Sequence, residues 1–150
     1  MIGLISDTHG LLRERALGAL AGAEFILHAG DIGKPEILDA LRAIAPVVAV
    51  RGNVDRQPWA RALPETAEAR TAAGRIYLLH DLKQLAIDPR AAGFAAVVSG
   101  HSHHPGRMER DGVLYLNPGS AGPRRFRLPV TVARLDPSRQ PWAIEFVNCL

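Results

Sequence analysis

The short apolar runs of this chain stop on the same kinds of residue: an aspartate, a histidine, or a glycine leading into a polar side chain. The runs at 2–6, 24–29 and 47–51 end in Asp7-Thr8-His9, Gly30-Asp31 and Gly52-Asn53-Val54-Asp55, with helical spacing of apolar residues at 11–20 and 35–44 between them. Apolar stretches of this length alternating with amphipathic ones read as βαβαβ. Pro35 suits the first turn of the second helix, and Pro46 stops it. Parallel strands need both faces covered and right-handed crossovers, so the three are expected in one sheet under two helices. Ligands of such sheets sit beyond the carboxyl ends of the strands, which gathers the polar run-ends along one edge.

Beyond Pro64 the texture becomes hairpin-like. Runs at 65–71 and 76–79 flank a turn expected at Gly74-Arg75, and a short segment at 88–92 precedes a buried run at 95–99. Two strand pairs follow, 107–109 with 113–116 around Asp111-Gly112, and 131–135 with 143–147 around Pro137-Ser138-Arg139. Such turns imply a mostly antiparallel second half. Two runs here also end on metal-ligating side chains, His80 and then Gly100-His101-Ser102-His103. No repeat, low-complexity tract or long linker interrupts the 150 residues, so one α/β domain over 1–150 is expected.

Composition narrows the setting. A lone cysteine, Cys149, permits no intrachain disulfide and suits a reducing, cytoplasmic location. No apolar run approaches the ~18 residues of a membrane span, so no membrane partner is expected. A net charge of +3 is too small an excess to indicate nucleic-acid binding.

The chemistry lies in the run-ends. In Asp7-x-His9 and in His101-x-His103, extended backbone would point both side chains to the same side. The glycines before Asp31, Asn53 and His101 are expected to leave room for an ion or substrate. Carboxylate, imidazole and amide donors together suit Mn, Fe, Zn, Ni or Co better than Ca. Asp7, His9, Asp31, Asn53, His80, His101 and His103 are more donors than one ion accommodates. Two ions ~3.5–4 Å apart, sharing a carboxylate, can use them all and assist in-line displacement at phosphorus.

In order and spacing, these five blocks resemble the signature of the calcineurin-like metallophosphoesterase superfamily over residues 7–103, and Asn117-Pro118-Gly119-Ser120 resembles the tail of its small bacterial and archaeal phosphodiesterase branch. The resemblance implies a four-layer α/β/β/α sandwich. It implies two divalent ions, Mn foremost, with Fe, Ni, Zn, Co and Mg as alternatives: Asp7, His9 and His103 on one, Asn53, His80 and His101 on the other, and Asp31 bridging. A hydroxide between the ions would be the nucleophile toward a small phosphodiester, with Asp31, Asn53 and His80 as catalytic residues. Asn53 would also donate its amide to a phosphoryl oxygen.

Two departures stand out. Val54 replaces a histidine that many members use to protonate the leaving oxygen, as the phosphodiesterase branch also tends to do, and this favours activated leaving groups. Asp81 follows His80 where glycine is frequent. Asp55 is expected behind His101 and His103, and His28 as a hydrogen-bonded core histidine. Arg124-Arg125-x-Arg127 reads either as a solvated basic face or as a clamp in which Arg124 and Arg125 bind further substrate phosphates. Relatives of this size that work as interaction scaffolds, such as the small retromer subunit, lose ligand residues, whereas all seven are kept here. Nuclease relatives are larger, so nucleic acid ranks below a small phosphodiester as partner; the pairing common among relatives leaves a homo-oligomer open.

Overall fold

The computed structural model describes residues 1–150. Its first strand, β1 (Ile2–Ile5), is buried at every position because both of its faces are covered. Ile2 and Leu4 join the core between two sheets, and Ile5 joins the core under the helices. β2 (Ile26–His28) and β3 (Val47–Ala49) add in parallel, through crossovers α1 (Glu14–Leu20) and α2 (Pro35–Arg42). Pro35 opens α2, where its missing N–H is not needed. α1 starts later than the spacing of its apolar residues predicts. The chain first turns at Gly10, in the left-handed region, and Leu11 N donates to Thr8 O.

β4 (Thr66–Thr71), β5 (Gly74–Leu79), β6 (Phe94–Val98), β7 (Gly106–Arg110) and β8 (Val113–Asn117) form the second sheet, in the order β4-β5-β6-β8-β7. β9 (Thr131–Asp136) and β10 (Ala143–Asn148) return to the first sheet, giving β10-β9-β1-β2-β3. The second half is mostly antiparallel, as expected, except at the centre of its sheet. β5, β6 and β8 are mutually parallel, and only their neighbours β4 and β7 run against them. The apolar residues on both faces of β5, β6 and β8 explain this, since parallel strands need double cover. The turn expected at Gly74-Arg75 lies two residues earlier, at Ala72-Ala73, because Gly74 already pairs with Thr71.

Two stacked sheets in an α/β class are as expected. Leu4, Leu27, Ile76, Leu78, Leu116 and Leu135 fill the space between them. Leu20, Ile26, Ile37, Leu38 and Leu41 fill the layer under the helices. Each such side chain, fully withdrawn from water, contributes about 1.5–3 kcal/mol. On the far side of the second sheet, Leu79, Val97 and Val113 are covered by Leu85, Tyr77 and Tyr115, so that the fourth layer is a 3₁₀ turn (Leu82–Gln84) and loop rather than α-helix. No helix is long and apolar enough to cross a membrane. The carboxyl ends of β1, β2, β3, β5 and β6 carry the polar run-ends.

Candidate metal centre

The loops leaving these strands are locally strained. Asp7 (φ 55°), His9 (46°), Asp31 (56°), His101 (69°) and His103 (63°) are five of the seven non-glycine residues with positive φ. Such a conformation costs roughly 1–3 kcal/mol per residue and persists only where the surroundings impose it. Here they do. Asp7 N donates to Gly30 O and His9 N to Asp31 O, tying the first loop to the second. The left-handed backbone, not strand alternation, thus sets the directions of these side chains, contrary to the expectation of extended pairs.

Buried polar groups hold the loops in register. Asp55 accepts N–H groups of Ile32 (3.0 Å), Gly33 (3.2 Å) and Gly52 (2.9 Å), joining the loops after β2 and β3. It was expected behind His101 and His103. Its carboxylate is instead consumed by backbone donors. Asn117 Nδ2 donates to Gly100 O (3.0 Å) and Ser102 Oγ (3.1 Å), and Ser120 Oγ donates to Asp7 O (3.1 Å), so the Asn-Pro-Gly-Ser segment props the loops from below. A Cβ on Gly52 would strike the Asp31 carboxylate, and one on Gly100 would strike Ser6 Oγ and Asp7 Oδ2. The space these glycines leave is filled by the site's own residues, not by room for an ion.

Six side chains converge in two groups. The donor atoms of Asp7, His9 and His103 lie within 4.8 Å of one another, as do those of Asp31, His80 and His101. Asp7 Oδ1 is 3.6 Å from His9 Nε2 and 3.3 Å from His103 Nε2. Asp31 Oδ2 faces a histidine of each group, His80 Nε2 at 3.2 Å and His9 Nε2 at 3.7 Å. The second carboxylate oxygens are occupied elsewhere: Asp7 Oδ2 accepts from Ser6 Oγ (2.7 Å) and His101 N (3.0 Å), and Asp31 Oδ1 accepts from Val54 N (3.0 Å). His80 Nδ1 lies 2.7 Å from Ala29 O, which can only accept, so Nδ1 carries a proton and Nε2 faces inward. Asp7 Oδ1, His9 Nε2 and His80 Nε2 are buried without any hydrogen-bond partner. Each orphan costs about 1–3 kcal/mol. Two inward-facing imidazole nitrogens beside the unpartnered Asp7 Oδ1 and the Asp31 carboxylate are what a cation would satisfy, and the residues present fit divalent metal.

The electrostatics agree. Burial would raise the Asp31 carboxyl, but the adjacent His80, the Val54 N–H and the charge of His9 bring it down to about 2. Burial opposes ionisation of Asp7 as well, and His9, Ser6, His80 and His103 together lower it. Burial would lower His80, yet Asp31 and Asp7 leave it raised. His28 behaves as read from the sequence. Wholly buried, it is pushed down to about 4 by desolvation. Its Nδ1 accepts from Gly30 N (3.1 Å), so Nε2 donates to Thr8 Oγ1 (3.0 Å), and the Thr8 hydroxyl in turn donates to Ile32 O (2.8 Å).

Asn53 is exposed on the wall of a cleft of about 340 Å³, together with Arg51, Arg56, His80 and Asp81. Asp81 Oδ2 lies 3.7 Å from His101 Nε2. Arg124 Nε donates to Leu128 O (3.3 Å) in its own exposed loop. Burial lowers His103, and the Arg125 charge adds to that effect. Ser6 and Thr8 were not singled out from the sequence. A serine and a threonine flanking an aspartate carry no signal until the fold buries them.

Over residues 1–140 the chain matches the calcineurin-like phosphoesterase superfamily domain. It is 36% identical over 148 residues to a probable metallophosphoesterase of Methanothermobacter thermautotrophicus, covering 91% of this chain and 86% of the relative. It is 27% identical over 161 residues to the phosphodiesterase YfcE of Escherichia coli strain K12, with 87% and 84% covered. Among solved structures, zinc-complexed wild-type Vps29 of Entamoeba histolytica shares the fold at a TM-score of 0.75, with 23% identity and 99% of each chain covered.

Proposed function

We propose that this chain, which belongs to the calcineurin-like phosphoesterase superfamily, hydrolyses small phosphodiesters as a single domain over two divalent ions. Asp7, His9 and His103 would hold one ion and Asn53, His80 and His101 the other, with Asp31 available to both. The observation that carries this reading is the orphaned set Asp7 Oδ1, His9 Nε2 and His80 Nε2, with Asp31 Oδ2 between the two groups. Likeness to a phosphodiesterase, YfcE, supports the choice of diesters over monoesters.

When bound, the ions supply Lewis acidity at phosphorus and a water ionised near neutral pH, manganese being the first candidate. The chain's residues do the rest. Asp7 and Asp31, both held ionised, offset part of the cationic charge and leave the pocket attractive to a phosphate anion. The Asn53 amide, free on the cleft wall, donates to a phosphoryl oxygen and strengthens as charge develops there. Val54 has no proton to give, so alcohols that leave unassisted are preferred. Of the two clamp arginines, Arg124 is engaged with its own loop, and the Arg125 charge felt at His103 supports Arg125 as the one that meets a further anionic group. All seven donors kept in one chain argue for catalysis over a scaffold role.

The test is a screen of bis(p-nitrophenyl) phosphate, p-nitrophenyl phosphate and 2′,3′- and 3′,5′-cyclic nucleotides with Mn²⁺-reconstituted protein, metal content being measured on the same sample. Diester turnover exceeding monoester turnover is expected. Metal-loaded protein inert toward every ester would overturn the reading in favour of a scaffold.

A further inference from the structure

Two clefts of different character flank the wall formed by His80 and His101, whose rings meet edge-on at 5.2 Å. The one beside His80 and Asn53 is polar, with Arg51, Arg56 and Glu65 among its walls. The one beside His101 is a cavity of about 650 Å³ between the 3₁₀ turn after β5 and the start of β7. Asp81 borders both.

The second cavity presents Leu82, Met108 and Tyr115. Leu82 and Met108 are 37% and 43% exposed, among the few large apolar side chains left facing solvent. Apolar side chains gathered in a concavity of this size mark a ligand site more often than a bare surface does. The neutral polar groups of the wall have little left to give. Asn117 Nδ2 is taken by Gly100 O and Ser102 Oγ, its Oδ1 by Gly119 N, and Ser102 Oγ also accepts from His104 N (3.3 Å). Recognition there falls to apolar burial and to the ring and sulfur of Tyr115 and Met108. Lys83 and Arg107, which also line the cavity, suit the face of an aromatic ring better than an aliphatic chain.

We propose that this cavity is a specificity subsite for an aromatic arm of the substrate, so that the preferred diester is unsymmetrical: an aryl group over Leu82, Met108 and Tyr115, and a polar alcohol in the cleft beside Asn53. This rests on the phosphodiesterase reading, and extends it to the substrate class.

Phenylphosphonate and methylphosphonate carry the same anion and differ only in the arm, so their comparison isolates the cavity. The chain has two methionines, Met1 and Met108, which makes the Met108 methyl signal of methyl-¹³C-methionine protein a direct reporter with Met1 as internal control. In the Mn²⁺-free, Zn²⁺-loaded protein, phenylphosphonate is expected to shift the Met108 methyl and leave Met1 unmoved, and methylphosphonate to move neither. Phenylphosphonate should bind roughly tenfold tighter or better, the usual worth of a filled apolar pocket. Met108→Ala should narrow that difference, the loss falling on phenylphosphonate. Equal affinities, or a silent Met108 when phenylphosphonate binds, overturns the subsite. Diester turnover by the same protein separates the two claims: turnover with a silent Met108 defeats the subsite alone, and a shifted Met108 without turnover defeats the phosphodiesterase reading alone. If neither phosphonate binds, both are lost.

Discussion

The two ligand groups are made of the same residue types and are held very differently. Asp7 and His103 are buried, and the Asp7 loop is fixed by Ser6 Oγ, His101 N and Ser120 Oγ. The group of Asp31, His80 and His101 is fixed on the inside only. His80 is anchored through Ala29 O and Asp31 through Val54 N, while the His101 side chain is 41% exposed and borders the apolar cavity. The closed group is anchored from several sides, whereas the open one faces the two clefts. Preorganisation by surrounding hydrogen bonds is what separates a fixed ligand set from an adaptable one.

The strongest perturbation of that contrast is Asp31→Asn, which touches both groups. Turnover of bis(p-nitrophenyl) phosphate should fall by more than the ~10–100-fold typical of a residue one step removed from a metal. Asn53→Ala acts on the open side only: kcat should drop by roughly 10²-fold with metal content largely kept, as for loss of one transition-state donor. Loss of metal in proportion to activity would make Asn53 a ligand and nothing more. Asp55→Asn should loosen the loops after β2 and β3 and weaken metal binding by about 10–100-fold, read by competition with a chelating dye.

The smallest effect on turnover is expected at His28, which belongs to neither group. It titrates near 6.5 in the unfolded chain and at about 4 in the fold, so the unfolded state binds more protons between those values. Stability of the metal-free protein should therefore fall as pH drops from about 6.5 to about 4, by about 3 kcal/mol in all. Urea unfolding of His28→Asn should lack that slope. A slope identical to the parent's would place the titration elsewhere.

Much of the closed group could be read from the chain itself. Asp7, His9 and His103 sit at the ends of apolar runs, and run-ends of parallel strands share an edge whatever the details. What could not be read were the left-handed backbone at those residues and the part played by Asp55. Both depend on which N–H groups face a given carboxylate once the loops meet. The parallel pairing of β5, β6 and β8 was hidden for a related reason. The hairpin turns of β4 with β5 and of β7 with β8 are local and visible, while cover on the second sheet's far face comes from a 3₁₀ turn with no periodic signature. The apolar cavity was equally silent, since Leu82, Met108 and Tyr115 lie on three separate elements.

The shared role of Asp31 is tested most directly by elemental analysis of gel-filtered, Mn²⁺-reconstituted protein, with Asp31→Asn alongside. Two divalent ions per chain, both lost on the substitution, is the predicted result. A single ion per chain, or a substituted protein that keeps both, would contradict it.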